Sequence, residues 1–160
     1  MVRHVDSHGS IVDSPAQASP SQRQPALSIE LHTPASTVMI PVIRAVAADL
    51  AARADFDVDS IDDLRMAVDD ACAMLVGIAA PGATLSCRFT VRPKLIKWIE
   101  AVADVDVEDG ATLPTGSFGW RVLECLAEVV KAGAVPGHPG QRGRARITLG
   151  KHATTALPWD

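Results

Sequence analysis

The sequence predicts an α+β fold: a two-layer sandwich with a mixed, mostly antiparallel sheet and helices on one face. Three observations lead to this prediction. Apolar residues make up 48% of the 160 residues, which is enough for a buried core. Several short segments alternate apolar and polar residues, as half-buried strands do, and longer segments repeat apolar residues at helical spacing. In chain order the segments read β-α-α-β-β-loop-α-β-β, an order typical of helices packed on a sheet.

The first 25 residues differ in composition from the rest of the chain. They are rich in Ser, Gln, Pro and His and show no apolar periodicity. Such a segment cannot bury enough apolar surface to offset its ordering entropy. We therefore expect a disordered N-terminal arm over 1–25, a folded domain over 26–152 and a C-terminal tail over 153–160.

The first half of the domain predicts one strand and two helices. Residues 27–32 alternate apolar and polar side chains and are followed by Thr33-Pro34, which ends the strand. A helix capped at Ser36 or Thr37 is predicted to run to about residue 53. Ser60 is the predicted cap of a second helix, which ends before Pro81-Gly82.

The second half predicts a hairpin, an acidic loop, a helix and two further strands. Two alternating segments joined by a short Pro-containing turn are typical of a hairpin. The predicted elements are strands at 84–91 and 95–102 around a turn at 92–94, a loop at 104–116, a helix at 119–127, and strands at 129–135 and 144–151.

Composition excludes several classes of function. The net charge of −4 and the pI of about 5.7 offer no basic surface for nucleic acid or anionic lipid. No apolar stretch is long enough to span a bilayer and none resembles a signal peptide, so we expect a cytoplasmic protein. The five His and three Cys residues lack metal-ligand spacing, and we expect no metal site of their own. Cys72 and Cys125 are predicted to be reduced, buried thiols.

The segment 61–76, IDDLRMAVDDACAMLV, carries the most informative pattern. Together with Arg44, Phe56 and the segment 115–120, TGSFGW, it resembles the RsbW/SpoIIAB family of anti-sigma factors, a branch of the histidine-kinase-like (Bergerat) ATPases. The last strand, ending at Lys151, also fits. The resemblance covers most of the chain after residue 25 and implies the histidine-kinase-like ATPase fold.

The resemblance implies a nucleotide pocket in which two features are changed. In the family, one helix carries an acidic general base and, four residues later, an asparagine that ligates magnesium. The matching residues here are Asp70 and Met74, on one face of the helix, and a thioether is a poor ligand for magnesium. The family's strand-end aspartate, which reads adenine, falls on Ala103. Asp104 follows it but would point to the opposite face unless the strand end is distorted.

The third feature of such a pocket is a helix N-terminus that binds phosphate. Gly116, Ser117 and Gly119 could present backbone N–H groups there. With two features changed, we expect ATP and magnesium to bind weakly or not at all. Plainer interpretations stay open: Asp70 as a solvated carboxylate, Met74 as a core residue, and the glycines as turn and cap residues.

The first function that the resemblance implies is sequestration of a protein partner. The chain would be an anti-sigma factor that binds an alternative, stress-type sigma factor and releases it to an anti-anti-sigma antagonist. A homodimer is implied as well, with the first helix near the dimer and sigma surfaces. The residues expected to bind sigma are Ile40, Ile43, Arg44 and Ala47. A plainer interpretation of Arg44, as a solvated charge on the helix, stays open.

The second function is enzymatic. The same fold would act as an ATP-dependent serine kinase that phosphorylates the antagonist, with Asp70 as the candidate catalytic base. We rank kinase activity second because Met74 and Ala103 remove a metal ligand and an adenine contact. A third interpretation is a Bergerat-type adaptor with a different client, since client choice depends on surface detail.

Overall fold

The structure is a computed structural model that describes residues 26–92 and 97–154. These residues form five strands and three α-helices, with a single 3-10 turn before the first helix. The elements are β1 (Leu27–Pro34), α1 (Ile40–Arg53), α2 (Val58–Ile78), β2 (Thr84–Arg92), β3 (Trp98–Val107), α3 (Phe118–Leu126), β4 (Val129–Val135) and β5 (Gly143–His152).

The five strands form one sheet in the order β1-β2-β3-β5-β4. All four strand pairings are antiparallel. The predicted α+β sandwich is confirmed, but the sheet of the described residues is not mixed. Apolar alternation reveals strands without revealing direction, and here β4 and β5 form an antiparallel hairpin whose second strand pairs with β3.

The core lies between the helices and one face of the sheet. Alternate residues of the three central strands point toward α1 and α2, because side chains of a strand alternate between its faces. Each fully buried aliphatic or aromatic side chain contributes about 1.5–3 kcal/mol relative to an exposed one. The large side chains below 2% exposure are Ile43, Leu64, Leu75, Leu85, Phe89, Ile99, Val105, Leu123, Ile147 and Leu149.

Helix α2 begins three residues earlier than predicted. Its N-cap is Asp57, whose carboxylate accepts a hydrogen bond from the Ser60 backbone N–H at 3.0 Å. The prediction that Ser60 caps the helix was wrong, because the Ser60 hydroxyl is buried and lies 3.1 Å from the hydroxyl of Thr154. A carboxylate at the N-cap satisfies free N–H groups and suits the positive end of the helix dipole.

Strand β3 is five residues longer than predicted at its carboxyl end. The loop was predicted to begin at Asp104, yet the alternation continues, with Val105 and Val107 buried against the helices. Asp104 and Asp106 face the other side of the sheet, where arginines of β5 pair with them. An acidic residue on a solvated sheet face does not end a strand.

Some sequence predictions lie outside the described residues. These are the disordered arm over 1–25, most of the turn at 92–94, and the tail beyond Thr154. Thr154 itself is attached to the domain, since its backbone N–H donates to the Asp57 carboxylate at 3.0 Å. Of the helices described, none combines the length and apolarity needed to cross a membrane.

Candidate functional site

Helix α2 carries the two residues that the sequence assigns to a nucleotide pocket. Its buried stripe, which includes Leu64, Val68 and Leu75, is part of the core, because apolar residues recur at helical spacing. Asp70 and Met74 are half-buried and lie one turn apart. Both therefore stand beside the core stripe, where they can contact neighbouring elements.

The amino end of α3 meets Met74. Ser117 caps this helix, and its Oγ accepts a hydrogen bond from the backbone N–H of Trp120 at 3.2 Å. A Cβ built on Gly119 would lie only 3.0 Å from Cε of Met74, whereas one on Gly116 would meet nothing within 4 Å. The structure thus brings Met74, Ser117 and Gly119 together. The methyl group of Met74 therefore lies against Gly119 in the first turn of α3.

The carboxyl group of Asp70 lies in a setting that favours its neutral form. Partial burial raises its pKa above the ordinary value, and the negative charge of Asp69 raises it further. Burial acts this way because a charged carboxylate loses hydration. A carboxylate with a raised pKa accepts protons more readily, which is the property of a general base.

The described residues do not fit a magnesium ion. Magnesium prefers hard oxygen ligands, and the residue one turn after Asp70 is Met74, whose sulfur is soft. Nowhere in 26–92 and 97–154 do three His, Cys, Asp or Glu side chains gather as metal ligands.

Asp104 lies away from this site. The strand is regular through Val107, so Ala103 points into the core and Asp104 points to the opposite face of the sheet. There Arg146 donates a hydrogen bond to its carboxylate at 3.3 Å, and Nε of Arg144 lies 2.9 Å from the other oxygen without hydrogen-bond alignment. The strand distortion that a nucleotide role requires is absent, and the assignment of Asp104 to the pocket is corrected.

Three of the four residues assigned to sigma binding are core residues. Ile40, Ile43 and Ala47 are at most 5% exposed and pack inside the domain. Of the four, Arg44 alone is exposed: 44% of its side chain is accessible, and its Nη1 lies 2.8 Å from Oδ1 of Asp69 on α2. The assignment of the three apolar residues to a surface is wrong, because they form the inner stripe of α1.

The sequence reasoning missed an apolar groove between β1 and α1. Ile29 and Leu31 line one wall, and Val42, Ala45 and Val46 line the other. Val42 is half exposed. The sequence contained a sign of this groove, because α1 carries apolar residues beyond its core-facing side. A helix of that kind buries more than one face. We name these five residues the β1–α1 groove.

Comparison with known proteins finds two curated relatives that match part of this chain. No family model matches the chain. The anti-sigma-F factors RsbW of two strains of Mycobacterium tuberculosis are each 35% identical to it over 105 residues, which is 65% of this chain and 60% of each relative. The chain therefore matches less than two thirds of the relatives' own length. The match confirms the resemblance noted from the segment 61–76, and the chain is a sequence relative of the RsbW-type anti-sigma factors.

Proposed function

We propose that this protein is an anti-sigma factor, which binds an alternative sigma factor and so keeps it from RNA polymerase. The observation that carries the proposal is the 105-residue match to two anti-sigma-F factors. Their name points to a sigma-F-type partner. An anti-anti-sigma antagonist that competes for the same protein would release the sigma factor.

Arg44 is the residue through which we expect α1 to hold sigma. Its guanidinium is half exposed, and among the residues that the structure describes it is paired only with the partly exposed carboxylate of Asp69. Exposed ion pairs contribute about 0–1 kcal/mol, so a carboxylate of a partner can replace Asp69 at small cost. A guanidinium also binds carboxylates in a two-pronged geometry. The net charge of −4 would speed the encounter with a basic sigma factor.

We propose that a second copy of the chain covers the β1–α1 groove. Among the described residues, strand β1 is an edge strand of the sheet, and an open strand edge beside apolar side chains invites pairing. A two-fold dimer uses the same patch on both subunits, so one groove would cover the other. Sedimentation should give twice the monomer mass of 16.9 kDa. A particle of monomer mass would overturn the dimer and leave the anti-sigma proposal standing.

The nucleotide pocket is, in this proposal, degenerate. Met74 supplies no oxygen for magnesium and rests on Gly119 at the end of α3, where a phosphate would otherwise approach the free N–H groups. Ala103 supplies no polar atom for adenine and lies in the core. Losing a charged or two-pronged contact costs on the order of 1.5–3 kcal/mol. ATP would therefore bind weakly or not at all.

One observation favours the alternative of an active serine kinase. Asp70 is partly buried and its pKa is raised by burial and by Asp69, which is what a general base needs. Such a kinase would phosphorylate a serine of the antagonist, with Asp70 as its base.

Titration calorimetry of the full chain distinguishes the two functions. The injected partners are a purified sigma-F-type factor, with and without MgATP, and then MgATP alone. Sequestration predicts tight sigma binding that MgATP leaves unchanged and no heat from MgATP alone. Micromolar MgATP binding together with phosphate transfer to the purified antagonist would establish the kinase instead. Absence of any sigma complex would overturn both the sigma partner and the role of Arg44.

A further inference from the structure

Two thiols meet in the core between α2 and β2. Cys72 of α2 and Cys87 of β2 are 1% and 3% exposed, and their Sγ atoms lie 3.9 Å apart. Neither takes part in the proposed sigma surface or nucleotide pocket. Cys125, which was predicted to be buried, is exposed on α3 and provides an internal comparison.

The surroundings of the two sulfurs leave room for movement. A small cavity of about 10 Å³ is lined by both cysteines, with Val68, Ala71 and Phe89 among the apolar side chains around it. That volume is about one water-sized sphere. A disulfide needs an S–S distance of about 2.05 Å, so the sulfurs must approach each other by roughly 1.9 Å. Rotation of the two side chains into the cavity can supply part of this approach.

We propose that Cys72 and Cys87 are a redox modification site, which hydrogen peroxide converts into an intramolecular disulfide. One of the two thiols first reduces one peroxide molecule, forming a sulfenic acid and one water. The sulfur of the other cysteine then attacks the sulfenic sulfur, forms the S–S bond and releases a second water. A dithiol such as dithiothreitol supplies the two electrons and two protons that restore both thiols.

The rate of these steps depends on the protonation state of the two thiols. The hydrogen bond with Cys87, together with burial, raises the pKa of the Cys72 thiol. A raised pKa lowers the fraction of Cys72 thiolate, and thiolates are the species that attack both peroxide and a sulfenic sulfur. The same burial makes the reaction slow, and its rate should rise with pH.

The disulfide would fix the middle of α2 to the sheet. Asp69, Asp70 and Met74 lie within three residues of Cys72 on this helix. The bond would therefore restrain the helix segment that carries the Arg44 ion pair and the candidate pocket residues. This inference stands on the geometry of the two thiols and does not depend on the proposed sigma partner.

The test is mass spectrometry of the folded Cys125→Ser full-length chain after exposure to hydrogen peroxide. Trypsin leaves both remaining cysteines in one peptide, Met66–Arg88, since no Lys or Arg lies between Arg65 and Arg88. The expected result is a loss of two hydrogens from this peptide, resistance to alkylation, and reversal of both by dithiothreitol. Oxidation of Met66 or Met74 adds oxygen and is thereby told apart.

Two comparisons make the result decisive. Cys72→Ala and Cys87→Ala should each abolish the loss of two hydrogens, and the Cys125→Ser chain carries the test even if these core variants fold poorly. The inference is overturned if both thiols remain fully alkylatable under conditions that oxidise Cys125 in the unsubstituted chain. It is also overturned if the disulfide forms only in urea, where the sulfurs are no longer held together.

Discussion

Met74 is the side chain that most separates sequestration from kinase activity. It stands one turn after Asp70, where the resemblance implies an asparagine, and its methyl group lies against Gly119. In the degenerate pocket proposed above, it would thus offer magnesium no oxygen ligand and would cover the amino end of α3. A single substitution addresses both effects.

Replacing Met74 with Asn should strengthen MgATP binding by about tenfold or more. A hard oxygen replaces the sulfur, and the side chain that lies against Gly119 becomes shorter. Calorimetry with MgATP measures the change. Met66→Asn is the matched control, since Met66 lies on the same helix and is half exposed, and it should leave binding unchanged. Equal binding by Met74→Asn and the unsubstituted chain would count against the pocket described here.

The raised pKa of Asp70 predicts a pH-dependent stability difference. Burial and Asp69 raise this pKa above its ordinary value of 3.8, so the neutral carboxyl is stabilised in the fold below that value and the stabilisation is lost as pH rises. Asp70→Asn should therefore be more stable than the unsubstituted chain at pH 7. The difference between their free energies of unfolding should shrink toward pH 4. Urea unfolding measures this. A stability difference that grows on acidification, or an equal difference for Asp62→Asn, would refute the raised pKa of Asp70.

At the scale of secondary structure, α2 organises the site. It carries Asp70 and Met74, contacts α1 through the Arg44–Asp69 ion pair, and is capped by Asp57. The orientation of the candidate residues therefore depends on how the helix begins and on how it is attached to α1.

Removal of the N-cap should destabilise the domain. Asp57→Ala is expected to lower the free energy of unfolding by about 1 kcal/mol, whereas Asn, itself a good cap, should lower it less. Hydrogen bonds from Ser60 hold the pKa of Asp57 below its ordinary value of 3.8. The stabilisation is therefore present above that pH and is lost as pH falls through the lowered value. Urea unfolding at pH 7 and pH 3 checks this; a constant cost would contradict it.

The pairing of α1 with α2 predicts opposite effects of two substitutions on sigma binding. Arg44→Glu should weaken it by about 30-fold or more, as loss of a central charged contact does. Asp69→Asn should strengthen it by up to about fivefold, because Arg44 no longer has an internal partner. Arg65→Glu is the matched control, since Arg65 is an exposed, ion-paired arginine of α2. Calorimetry with the sigma factor measures the affinity of each variant. Unchanged binding by Arg44→Glu would exclude the surface around Arg44 as the sigma-binding site.

For the molecule as a whole, the sequence predicts the order of the elements well and their environment less well. Alternation and helical spacing locate all eight elements, since burial of one face imposes those periods. The same periods could not separate the inner stripe of α1 from its exposed flanks, because both are apolar, and Ile43 was assigned to the surface. Acidic residues on a solvated face hid the end of β3 at Asp104. The contact of Met74 with Gly119 joins residues 45 positions apart, which no local pattern reveals.

In the proposed function, this fold holds a sigma factor away from RNA polymerase. Transcription in vitro from a sigma-F-type promoter, with the sigma factor mixed with the full chain before core polymerase is added, measures this directly. We expect the amount of transcript to fall in proportion to the unsubstituted chain added, without ATP, and we expect Arg44→Glu at the same concentration to leave transcript near its starting level. Undiminished transcript at saturating unsubstituted protein would contradict it.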